Sequence, residues 1–132
     1  MTTELTVLAY AGLLQIFQFA IMAIPANREL GVRVTLSPRD RNNIADQLSE
    51  RTARLYRALN NHFEALILFT IAVLLVTLGA KSSPLTETCA WAYLAARILY
   101  VPAYAFGWSP WRSIIWFMGF VATAAMLVVA LV

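Results

Sequence analysis

The chain has 132 residues, of which 61% are hydrophobic and 13% charged, against roughly half and a quarter in an ordinary soluble domain, so a water-soluble globular fold is excluded. The formal charge of +3 comes from arginines gathered beside apolar segments and does not point to nucleic acid. A single cysteine, Cys89, excludes an intrachain disulfide, and no second Cys or His stands near it to make a metal site.

Leu5 to Ala26, Leu55 to Gly79, Leu85 to Phe106 and Trp111 to Val132 are each long enough to cross a hydrocarbon layer of ~30 Å. The apolar residues run in continuous blocks such as Ala65 to Leu78, which excludes the alternating strands of a membrane β-barrel. These features predict one all-α domain over 1–132, an integral membrane four-helix bundle of antiparallel up-down topology. The helices are expected over about 4–26, 54–80, 85–106 and 111–131, with a loop over about 27–53. Met1 to Glu4 lacks the basic start of a secretory signal, so the first segment is read as a retained helix. Ser37-Pro38-Arg39-Asp40 has the form of a helix start, and a short surface helix through Leu48 is expected. Ser83-Pro84 and Ser109-Pro110 have the same form before the third and fourth segments.

Seven arginines (Arg28, Arg33, Arg39, Arg41, Arg51, Arg54 and Arg57) lie between the first two apolar cores, and Arg112 flanks the third loop. The other side offers only Lys81. The excess of positive charge on cytosolic loops then predicts a cytosolic first loop with both chain ends on the opposite side. The compact chain, without a eukaryotic sorting signal, suggests a bacterial inner membrane as the setting.

Within the second segment Arg57, Asn61 and Glu64 are spaced i, i+4, i+7 and share one helix face. In the third, Arg97, Tyr100 and Tyr104 are spaced i, i+3, i+7. A charge at membrane depth costs ~3 kcal/mol on insertion scales, so such residues are kept for a partner, a ligand or a proton. Antiparallel helices make an Arg97–Glu64 contact available, and opposite charges at similar depth argue for pairing. A purely structural reading stays open, in which this pair locks the bundle and Asn61 and the tyrosines bond across helices. Arg54, Arg57, Arg97 and Arg112 nevertheless outnumber the one deep acid, which suggests an anionic ligand whose carboxylates a planar guanidinium can grip bidentately. His62 is read as a headgroup-level or interhelical residue rather than a base. The aromatic cluster from Tyr104 to Phe117 is read as an interfacial belt.

Arg57-Ala58-x-x-Asn61-x-x-Glu64 followed by Phe69, then Arg97-x-x-Tyr100-x-x-x-Tyr104, then Pro110-x-Arg112-Ser113, resembles the membrane-associated proteins in eicosanoid and glutathione metabolism, the MAPEG family. The likeness extends over essentially the whole chain. It implies a homotrimer with glutathione, as co-substrate, bound between neighbouring subunits near the cytosolic face. It further implies a glutathione pocket made of Arg57, Asn61, Glu64, Arg97, Tyr100 and Tyr104, with Arg28 contributed by an adjacent subunit. Arg112 would be the catalytic cation that favours the thiolate, for attack on a lipophilic electrophile arriving from the membrane lipids. Two positions depart from the family pattern: Asn60 stands where a basic residue is frequent, and Ala65 where some members carry tyrosine.

The leading function is thus a membrane-bound glutathione-dependent transferase or peroxidase. One alternative is a catalytically silent member of the same fold that binds a lipid or a partner protein. Another is a small proton-coupled exporter built around Glu64, which the neighbouring arginines disfavour because they repel a cationic cargo and lower the proton affinity of the acid.

Overall fold

The computed structural model describes residues 1–31 and 48–132, and among these it contains four helices and no strand. They are α1 (Thr3–Leu30), α2 (Glu50–Leu78), α3 (Pro84–Ala105) and α4 (Trp111–Leu131). The expected helix start at Ser37-Pro38-Arg39-Asp40 lies outside the described residues.

The helix ends differ from the apolar boundaries because capping chemistry, rather than hydropathy, sets them. α1 does not stop near residue 26; it runs through Pro25 to Leu30 and ends at Gly31, whose φ of 83° suits a residue without a β-carbon. α2 begins earlier than residue 54 because the Ser49 hydroxyl accepts from the Thr52 backbone N–H. Ser83 caps α3 as expected, in a reciprocal box with Thr86 and with Pro84 in the first turn. Ser109 does not cap α4: Pro110 occupies the N-cap position itself, one residue later, and no side chain caps that end.

α1, α2 and α4 are long and apolar enough to cross a membrane. α3, with 22 residues, has the length but falls short in apolarity, since it carries Thr86, Glu87, Thr88 and Arg97. Large apolar side chains such as Leu13, Ile16, Ile67 and Phe117 lie on the outside. Lipid solvates such a surface, so the helices are held together by close packing and polar ties instead of by water exclusion.

The main core cluster includes Val7, Phe69, Val73, Tyr93 and Met126, all buried. The Phe69 and Tyr93 rings stack with centroids 3.9 Å apart at 8°. Small residues bring α3 and α4 together, so that a β-carbon at Gly119 would lie 3.6 Å from the Ala96 methyl.

Polar ties join the helix ends. Glu4, fully buried at the start of α1, accepts from Ser82 Oγ at 2.8 Å and from Thr86 Oγ1 at 2.6 Å. Glu29, in the last turn of α1, accepts from the Ser49 backbone N–H at 2.6 Å and from the Thr52 hydroxyl. Arg54 pairs with Glu50 at 2.7 Å and lies over Gly107, while Arg51 covers the Phe106 ring at 5.3 Å. The turn between α3 and α4 is therefore seated on arginines from the first turns of α2.

Hydrogen bonds to a charged group are worth about 1.5–3 kcal/mol, so Glu4→Ala is expected to lower unfolding stability by about 2–3 kcal/mol, read from the midpoint of a denaturing-detergent titration. Gly107 has φ of 67°, and a β-carbon there would come within 3.1 Å of the Arg54 guanidinium. Gly107→Ala is expected to cost about 1–2 kcal/mol in the same titration.

Candidate functional site

The helical spacing of the polar rows brings most of the expected residues together. On α2 the Arg57 Nε donates to the Tyr104 hydroxyl at 3.2 Å. From α4 the Arg112 guanidinium lies 4.9 Å from the centre of the same Tyr104 ring, and that of Arg57 lies 5.9 Å from it. The Tyr104 ring is in turn 5.5 Å from that of Tyr100. Arg97 sits 4.3 Å over the Tyr100 ring and donates from Nη1 to Asn61 Oδ1 at 3.0 Å. Aromatic faces attract cations, most strongly away from water, so the tyrosines hold three guanidiniums close together without neutralising them.

The expected Arg97–Glu64 pair is not formed. Asn61 and Glu64 are three residues apart, about 4.5 Å along the helix axis, and Arg97 reaches the amide instead of the acid. Glu64 is exposed at the wall of a cavity that Arg97 also lines. Among the described residues the one ion pair is Arg54–Glu50, so Arg57, Arg97 and Arg112 have no carboxylate partner. Arg97 is the extreme case: 1% exposed, with Nε and Nη2 buried and unbonded. Arg28 stands apart, exposed in the last turn of α1 and lining neither cavity described below.

Two cavities meet at these residues. A cavity of about 150 Å³ lies among α2, α3 and α4, with Glu64, Tyr93, Arg97, Phe120 and Thr123 in its walls. A wider groove of about 770 Å³ is lined by the polar Tyr100, Tyr104, Arg112 and Ser113 and by the apolar Ile114, Phe117 and Met118. Asn61 and Trp116 line both. Such a site offers more donors than acceptors beside apolar side chains, which suits an anionic ligand with a neighbouring lipophilic one.

Tyr93, Trp116 and Thr123 are cavity residues that the sequence reading left out. Tyr93 precedes Arg97 by one helical turn and Trp116 follows Arg112 by one, so extending each polar row by four residues would have found them. His62 is buried between helices, as expected, with Nδ1 bonded to Gln15 Oε1 at 2.6 Å, and lines neither cavity.

No curated protein and no solved structure matches the chain. The profile of one family does, over residues 7–132. With that match over nearly the full length, and with apolar helices fit to span a bilayer, this integral membrane chain belongs to the MAPEG family.

Proposed function

We propose that the protein is a membrane-bound glutathione transferase or peroxidase that activates the glutathione thiol beside Arg112. The observation that carries this reading is the convergence of Arg57 and Arg112 on one tyrosine ring, beside a groove that has no carboxylate among its described lining residues. Glutathione supplies two carboxylates for guanidiniums and an ammonium for Glu64. Its thiol, with a pKa of ~8.5, is mostly protonated at neutral pH. A guanidinium beside the sulfur stabilises the thiolate. The proton leaves to solvent, and the sulfur attacks the electrophilic carbon of a lipophilic acceptor on the apolar side of the groove, forming the C–S bond as the leaving group departs.

Antiparallel helices would carry the polar rows at matching depth near the cytosolic face, with the acceptor entering sideways from a bacterial inner membrane. The exposed position of Arg28, away from the cluster of its own chain, supports a homotrimer in which this residue reaches the glutathione of a neighbouring subunit.

The test is an ultraviolet thiolate difference spectrum of glutathione with the purified protein. The wild type is expected to show the thiolate band. Arg112→Ala should still bind glutathione but lose the thiolate about tenfold or more at neutral pH, since an adjacent opposite charge shifts a pKa by about 1–3 units. Glu64→Gln should weaken binding while keeping the band. If the wild type binds no glutathione, the reading fails, and a lipid- or partner-binding member of the family takes its place.

A further inference from the structure

The turn between α3 and α4 carries a second group of cations, which shares no residue with the glutathione reading. Phe106 and Gly107 are consecutive, and each has a guanidinium from the first two turns of α2 over it. Arg51 lies 5.3 Å from the centre of the Phe106 ring, and Arg54 packs over Gly107, where a β-carbon would otherwise stand. Two cations are thus held over neighbouring residues. Glu50 pairs with Arg54, whereas the exposed Arg51 has no carboxylate partner among the described residues. The group keeps one net positive charge, which matches the single negative charge of a phosphodiester.

We propose that Arg51, Arg54 and the α3–α4 turn bind the phosphodiester headgroup of an anionic phospholipid, with an acyl chain laid along the exposed face of α3. Guanidiniums suit phosphate oxygens because their planar fork can donate two parallel hydrogen bonds, and basic residues beside a bilayer attract anionic headgroups. Glu50 already accepts from Arg54, and Glu29 from Ser49 and Thr52, so these carboxylates are engaged and offer little to the ammonium of a zwitterionic lipid. The surroundings favour a lipid over a free phosphate. Phe106, Trp108 and Trp111 are about half exposed or more, as aromatic side chains at headgroup level are. From Phe106 an exposed apolar stripe follows one side of α3 through Leu99, Ile98 and Trp91. Ile98 and Trp91 also line a largely apolar groove of about 580 Å³ against Tyr10, Leu13 and Phe17 of α1. Ile98 is about 12 Å along the helix axis from Phe106, within the roughly 15 Å that an acyl chain covers as half of the hydrocarbon layer.

The test measures binding of radiolabelled dioleoyl phosphatidylglycerol to the immobilised protein in a neutral detergent. Competitors are dioleoyl phosphatidylcholine and sodium phosphate, the latter compared with sodium chloride of equal ionic strength. In the wild type, phosphatidylcholine is expected to bind about tenfold more weakly than phosphatidylglycerol, and phosphate is expected to displace no more lipid than chloride does. Arg51→Gln should weaken phosphatidylglycerol about tenfold and leave phosphatidylcholine within about twofold. Arg28→Gln removes an exposed arginine from the last turn of α1, at the same end of the bundle, and should leave phosphatidylglycerol within about twofold. Thermal unfolding checks that both variants are intact. Equal affinity for the two lipids, no loss in Arg51→Gln, or an equal loss in Arg28→Gln, which would mean general attraction to charge, overturns the site. Displacement by phosphate beyond that by chloride assigns the cations to a soluble phosphate and overturns the lipid.

Discussion

A guanidinium enclosed within a membrane bundle and held by one neutral amide is the constraint around which the rest is arranged. Arg97 bonds Asn61 and covers the face of Tyr100, and neither contact removes its charge. Isolated charge in a medium of low dielectric is costly, and pairing offsets the cost only where the geometry is good. Here the nearest acid on the same helix face as Asn61 is Glu64, which stays at the cavity wall. The charge is thus kept at the cavity wall instead of being cancelled within the fold.

The remaining polar contacts act at the helix ends. Glu4 joins α1 to the start of α3 through Ser82 and Thr86, and Glu29 joins it to the start of α2 through Ser49 and Thr52. In lipid, where apolar surface gains little by leaving the solvent, such contacts and the close Gly119–Ala96 approach fix helix positions that a water-soluble bundle would fix by its core. Arg97, Tyr100 and Tyr104 on α3 meet Arg57 and Asn61 on α2 because both ends of α3 are tied down.

Much of this was legible in the sequence, and the reasons are specific. Charges inside apolar segments are rare enough to stand out, and the spacing of Arg57, Asn61 and Glu64, and of Arg97, Tyr100 and Tyr104, placed each set on one face before any contact was known. What the spacing lacked was the rotation and axial offset of α3 against α2. A shift of one helical turn decided that Arg97 would meet Asn61 and not Glu64. Hydropathy marked where lipid ends, whereas Gly31 and Ser49 marked where helices end, so α1 and α2 proved longer than their apolar cores. Tyr93 went unnoticed because a phenol within an apolar run reads as packing; that its hydroxyl is unbonded shows only once the helices are assembled. Trp116, read as part of an interfacial belt, also lines both cavities.

Two like charges, Arg57 and Arg112, approach the one Tyr104 ring from helices distant in sequence. Their mutual repulsion opposes folding, and an anion bound beside both offsets it. Occupancy and folding are then thermodynamically linked: a ligand that binds only the folded chain raises its stability by RT ln(1 + [L]/Kd), and the part of that gain due to charge diminishes as added salt screens the two arginines.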